Sequence, residues 1–237
     1  MTIYQKYFSR DKKRIAVLLD PDKLTLETAL RYGEIIEKSP AEIILAGGSL
    51  VNNPVEEIIS ALKQSTEKPV VLFPGSGSQV VKEADALLYL SLISGRNSEY
   101  LIGEHVRTAF KIKKTGLEII PTGYILIDGG KITSVQYISN TMPIPKDKPD
   151  LAAATAVAGE FLGLKCLYLE AGSGAENPIR REMISAVRDC VSLPIITGGG
   201  LRSMQDIEKA FNAGADITVI GSAFEKNPDF FNSSILV

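Results

Sequence analysis

The chain has 237 residues, 45% hydrophobic and 23% charged, with a formal net charge of −2. That balance excludes a disordered chain and a basic nucleic-acid binder, and the length suits one α/β barrel or two small domains. No apolar run approaches the roughly 18 residues of a membrane-spanning helix. Residues 1–8 lack the apolar core of a signal peptide, and Cys166 and Cys190 have no CxxC spacing, so a cytoplasmic protein with reduced, structural thiols is expected.

Apolar runs of strand length alternate with helical patterns along the chain. Residues 15–19 form a near-continuous apolar run that stops at Asp20-Pro-Asp22, the pattern of a buried parallel strand. Residues 25–38 read as an amphipathic helix and residues 42–46 as a second strand, ended by Gly47-Gly-Ser49. Asn53 then reads as a helix cap with Pro54 at the first helical position, and Ile58, Ile59 and Leu62 lie on its inner face. Residues 69–73 and 86–90 are strands three and four. The segment 74–85 between them hardly holds a crossover helix, so the third helix is expected to be reduced or missing.

Residues 99–114 are a helix and 118–126 the fifth strand. The stretch 127–148 breaks the alternation: Asp128-Gly-Gly130 and the prolines at 143 and 145 predict a hairpin-like excursion or lid. A helix over 152–162, strand 166–169, helix 178–190, strand 194–197, helix 203–213 and strand 217–220 complete the alternation, with a short final helix after Gly221. Eight strands with intervening helices and no polar linker predict an α/β fold, a (β/α)8 TIM barrel forming one domain over 1–237. A doubly wound sheet would want a glycine-rich turn after strand one, where this chain has Asp20-Pro-Asp-Lys23.

The glycines come late. Gly172-Ser-Gly174, Gly198-Gly-Gly200 and Gly221-Ser222 follow strands six, seven and eight, and small residues there leave backbone N–H groups open to an anion. They predict a phosphate site at the barrel mouth. Tyr168 and Glu170 lie two apart on strand six, so both side chains point into that mouth. Glu170 is placed to hydrogen-bond a substrate hydroxyl or take its proton, with the Tyr168 phenol assisting. Asp20 and Ser49 follow strands one and two and are neighbours on the rim, an oxygen pair suited to Mg²⁺. Asp22 is either a rival ligand or a cap of the first helix. His105, the only histidine, lies in a polar helix and is expected at the surface or an interface. Without a nucleophile motif or a histidine-based metal cluster, hydrolase and zinc chemistry are disfavoured. Three functions stay open on these residues: a transferase acting on a phosphorylated small molecule, an isomerase or lyase of such molecules, and a non-catalytic phosphometabolite-binding protein.

Asp20-Pro-Asp-Lys23, Gly47-Gly-Ser49, Phe73-Pro-Gly75, Tyr168-Leu-Glu-Ala-Gly-Ser-Gly-Ala175, Gly198-Gly-Gly-Leu-Arg202 and Gly221-Ser-Ala-Phe224 together resemble the geranylgeranylglyceryl phosphate synthase family. The match covers nearly the whole chain. Leu18-Leu19-Asp20 lacks the lysine found two before the aspartate in one branch, so the resemblance is to the other, group II-like branch. It implies a Mg²⁺-dependent prenyltransferase joining a polyprenyl diphosphate, geranylgeranyl in the name of the family, to the primary hydroxyl of sn-glycerol 1-phosphate. Diphosphate leaves and an ether lipid precursor forms. By the same resemblance Tyr168, Leu169, Glu170, Ala171, Gly172, Ser173 and Gly174 hold glycerol phosphate, with Gly199, Gly200, Gly221 and Ser222 closing on its phosphate and Asp20 and Ser49 holding Mg²⁺. A homo-oligomer and transient membrane contact for the lipid product are implied as well. A long isoprenoid needs an apolar trench, and the shortened segment with Phe73 and Pro74 is where one would open.

Overall fold

The structure, a computed structural model, describes residues 1–231. Helix α1 (Ile3–Tyr7) precedes the alternation β1 (Arg14–Leu19), α2 (Leu26–Glu37), β2 (Ile43–Ala46), α3 (Val55–Ser65), β3 (Val70–Leu72) and β4 (Ala86–Ser91). A π-helical turn, Glu99–Gly103, leads into α4 (Glu104–Thr115), then β5 (Glu118–Leu126), α5 (Ser134–Ser139), α6 (Pro149–Phe161) and β6 (Cys166–Glu170). The chain continues through α7 (Arg181–Cys190), β7 (Ile195–Gly198), α8 (Met204–Asn212), β8 (Ile217–Ile220) and α9 (Ser222–Lys226). All eight strands pair in parallel and in chain order, and β1 closes on β8 with Arg14 opposite Ile217, giving the expected closed barrel. No helix of the described residues is long and apolar enough to cross a membrane.

Side-chain parity divides the strands between two cores. On β6, Leu167 and Leu169 face outward onto Ala152, Ala156, Met183 and Val187 of α6 and α7. Cys166 and Tyr168 face inward with Ile43, Leu45, Val71, Leu88, Ile196 and Val219. Burial holds the Cys166 thiol up at about 12, so it is a packed, unreactive group. The N-terminal helix, which the strand–helix alternation does not anticipate, closes the lower end. Phe8 is buried in the inner core and Arg14 donates to the carbonyls of Lys6, Ser9 and Lys12.

The third helix is replaced by a single 3₁₀ turn, Gly77–Gln79, as the chain length predicts. It is moored to α4: Gly77 N–H donates to Glu104, and Lys111 Nζ donates to Gly77 O at 2.7 Å. Two local details differ from the expectation. Residues 127–148 form no hairpin; they hold helix α5, and Ile127 bridges Ile144 in parallel. Gly129 O accepts the N–H groups of Glu176 and Asn177, so this segment buttresses the loop after β6. Asn53 does not cap α3, which begins at Val55 behind Pro54; its side chain donates instead to Pro21 O.

Candidate active site

The C-terminal ends of the strands surround a cavity of about 550 Å³. Its walls include Asp20, Ser49, Tyr168, Glu170, Ser173, Gly174, Gly199, Gly200, Gly221 and Ser222, so the strand-end residues singled out in the sequence converge. The loops after β6 and β8 meet where the Ser173 and Ser222 hydroxyls lie 3.3 Å apart.

Glu170 is 5% exposed. Its Oε1 accepts the N–H of Gly172 at 2.6 Å, which fixes the carboxylate against the turn that leaves β6. Burial pushes its pKa up to about 7; the Gly172 N–H and the adjacent Tyr168 phenol pull the other way and lose. That value poises the group to exchange protons at neutral pH. Tyr168 is wholly buried, and its Oη makes no well-formed hydrogen bond to any described residue. The phenol instead lies beside the Glu170 carboxylate at the cavity wall. Burial, then the neighbouring Glu170, holds the phenol well above its ordinary pKa, so it serves as a donor. Its ring stacks on Tyr124 at 5.5 Å and tilts against Phe73 at 5.1 Å.

The glycine turns are required by geometry. Gly199 has φ +82°, and a Cβ there would stand 2.6 Å from Glu170 Oε1. Gly200 has φ +75°, and its Cβ would stand 2.7 Å from the Asn177 carbonyl. Other predicted binding residues take different parts. Leu169 points outward into the helical layer because odd positions of β6 have the opposite parity to Tyr168 and Glu170. Ala171 packs in that outer core and its N–H donates to Gly198 O, while the Gly172 N–H is already given to Glu170. These three support the cavity and do not line it.

Asp20 ends β1 and accepts the Asp22 N–H, capping the turn Pro21–Lys23. Its carboxylate lies against Gly48, 3.4 Å from where a Cβ would stand, on the side of the cavity where Ser49 is found. Asp22 caps no long helix; Thr25 caps α2. The Asp22 carboxylate instead accepts the N–H groups of Asn52 and Asn53 and the Asn52 amide, which ties the β1 loop to the β2 loop and holds its pKa low. Among the described residues no three His, Cys, Asp or Glu side chains cluster to hold a metal. Lys23, Arg202, Glu225, Lys226 and Tyr124 also line the cavity. Of these only Tyr124, two before Leu126 on an inward register, had a periodicity that would have revealed it.

An apolar groove joins the cavity at Gly48, Ser49, Phe73, Tyr124 and Val135. It runs between the β3–β4 connection and the α4–α5 flank, past Pro74, Val80, Leu87, Leu90, Tyr100, Thr108 and Ile112. It opens where the missing helix would have lain. His105 is not at the surface. It is buried at this groove with its ring edge-on to Tyr89 at 4.5 Å, and burial lowers its pKa.

The chain is 49% identical over 230 residues to a geranylgeranylglyceryl phosphate synthase of Spirosoma linguale, covering 97% of this chain and 92% of that one. It is 42% identical to the enzyme of that name from Thermococcus gammatolerans, covering 89% and 83% of the two chains. Its fold superposes with a TM-score of 0.91, at 29% identity, on (S)-3-O-geranylgeranylglyceryl phosphate synthase from Thermoplasma acidophilum, solved in complex with substrate sn-glycerol-1-phosphate. That alignment covers 98% of this chain and 95% of the other. The PcrB family model matches residues 9–236, and the chain belongs to that family.

Proposed function

We propose that this protein is a prenyltransferase that joins a polyprenyl diphosphate, geranylgeranyl by its relatives' names, to the primary hydroxyl of sn-glycerol 1-phosphate. The observation that carries the reading is one polar, glycine-walled cavity holding Glu170 and running directly into an apolar groove. An isomerase or lyase of small phosphates has no use for such a groove.

The acceptor's phosphate sits among the N–H groups and hydroxyls of Gly199, Gly200, Gly221 and Ser222, with Ser173 opposite. Its glycerol hydroxyls then reach Glu170 and the Tyr168 phenol. The donor's chain lies in the groove and its diphosphate at the junction by Ser49. As the ether C–O bond forms, the bond from the prenyl carbon to diphosphate breaks, and the hydroxyl proton passes to Glu170 Oε2, the oxygen not held by Gly172. Tyr168 orients the attacking hydroxyl. The Phe73 and Tyr124 rings line the same junction, with the Tyr168 ring stacked on Tyr124 behind them, and offer aromatic surface to positive charge on the allylic carbon.

Asp20 and Ser49 would hold Mg²⁺. The all-oxygen donor set and a partly exposed carboxylate turned to the cavity fit a hard ion that keeps several waters. The ion would offset negative charge on the leaving diphosphate. A cytoplasmic homo-oligomer completes the reading, with the exposed stripe Ile102, Val106 and Phe110 on the α4 flank as its apolar contact surface.

Incubation with labelled sn-glycerol 1-phosphate and a series of prenyl diphosphates, read by product mass, tests the proposal. An ether product with the longer donors supports it. Ligand binding without product, Mg²⁺ present, sinks it in favour of a phosphometabolite-binding protein.

A further inference from the structure

The β1 loop brings a second charged group to the rim, one with no part in the steps above. Lys23 lines the cavity, with its Nζ 2.7 Å from Glu225 Oε2 and 3.6 Å from Asp20 Oδ2. Glu225, on α9, also accepts the Asp20 backbone N–H through Oε1 at 3.2 Å. One carboxylate thus fixes both the end of β1 and the ammonium. The Glu225 side chain is 11% exposed and that of Lys23 is 49% exposed, so the acid forms a back wall and the amine faces open space.

We propose that Lys23 is a contact for the donor's diphosphate, held ready by Glu225 beside Asp20 and Ser49. The inference rests on the prenyl-transfer reading and adds a specific residue to it. A donor whose chain fills the groove brings its polar head through the junction at Gly48 and Ser49, and Asp20 lies directly against Gly48. A head group there arrives within reach of the ammonium that Asp20 contacts. Diphosphate carries more negative charge than one divalent cation neutralises, and charge grows on its bridging oxygen as the bond to carbon breaks. An ammonium oriented beforehand meets that charge without reorganisation. Glu225 can release Lys23 to the ligand and still keep the Asp20 N–H through its other oxygen.

Isothermal titration of inorganic diphosphate in Mg²⁺, and of sn-glycerol 1-phosphate separately, against wild type, Lys23→Met and Lys23→Arg tests this. Lys23→Met should weaken diphosphate binding about tenfold or more, the scale of a lost charge-assisted contact. Lys23→Arg should retain most of it, and glycerol phosphate affinity should not move. Lys23→Gln, which still donates to Glu225, repeats the measurement should Lys23→Met fold poorly. In turnover the loss should appear with the donor and not in the acceptor KM. Unchanged diphosphate affinity in both neutral variants would reduce Lys23 to an ion-pair strut, and a parallel loss of glycerol phosphate affinity would make it an acceptor residue; either overturns the proposal. A wild type that binds diphosphate through Lys23 yet forms no ether refutes prenyl transfer and leaves the contact standing, so the two failures are distinguishable.

Discussion

Replacing Glu170 with glutamine tests both its chemistry and its burial in one variant. The amide keeps the shape and can still accept the Gly172 N–H, but it takes no proton. If Glu170 accepts the acceptor's hydroxyl proton, kcat should fall by about 10²–10⁴, the usual worth of a positioned base. Acceptor affinity should change less, because the proposed phosphate site at Gly199, Gly200, Gly221 and Ser222 lies on other loops. Wild-type kcat should climb with pH and level off above about 7, where the carboxylate is ionised. The limb governed by Glu170 should vanish in the variant.

The same group has a stability signature of known sign. Its folded pKa of about 7 stands above the ordinary 4.5. Below the ordinary value both states hold the proton and stability is complete. As pH rises, the unfolded chain releases its proton first, and the native state loses stability until pH passes the folded pKa. The loss amounts to about 3 kcal/mol, at about 1.4 kcal/mol per pKa unit. Glu170→Gln removes it, so the variant should melt several degrees above wild type near pH 8 and level with it near pH 4, roughly 2–4 °C per kcal/mol in a domain of this size. Thermal melts across pH, paired with steady-state kinetics, check both halves. Near wild-type kcat in Glu170→Gln would leave the carboxylate as a binding group only, and parallel pH–stability curves would refute the burial argument.

Asp20→Ala should abolish turnover while sn-glycerol 1-phosphate still binds by calorimetry, and EDTA should reproduce the effect on wild type; Asp22→Ala, whose loss loosens only the tie to Asn52 and Asn53, should keep its metal response. Gly200→Val should raise the acceptor KM far more than the donor KM, since a Cβ at φ +75° meets the Asn177 carbonyl, whereas Gly221→Ala, with 3.5 Å to Leu18 O, should be mild. Thr108→Trp, filling the groove beside Gly77, should shift the preferred donor to shorter prenyl chains, read from product masses.

The barrel was legible because parallel strands buried on both faces write near-continuous apolar runs, and residues 74–85 were too few for a helix. Gly172, Gly174, Gly199 and Gly200 were legible because their positive φ leaves few alternatives to glycine. Leu169 shows the limit of a motif read as a block: the period of two that places Tyr168 and Glu170 inward sends Leu169 outward. Asp22 fell to a local capping rule because its partners lie thirty residues away on another loop. Lys23 and Glu225 are separated by 202 residues, and no spacing in the chain announces that pair. His105 followed the polarity of its helical neighbours, although its own position turns toward β4.

The groove and the weakness of the sheet beside it have one origin. β3 has three residues and meets β4 through two register pairs, Val71 with Ala86 and Leu72 with Leu87, while β4 and β5 share six. A helix laid over this flank would cover Leu87 and Tyr89; here the 3₁₀ turn, tied to α4 by Glu104 and Lys111, stands off and leaves apolar walls. Apolar surface withdrawn from water stabilises by about 25 cal/mol per Å², whichever molecule covers it. An isoprenoid chain bound in the groove, as proposed, would therefore supply packing that the shortened chain does not. The strand-end cavity is the more polar of the two spaces, with Glu170, Lys23, Ser173 and Ser222 among its walls. On the prenyl-transfer reading proposed above, two different physical forces would sort the two substrates, and the junction at Ser49, Phe73 and Tyr124 is where their reacting ends would meet.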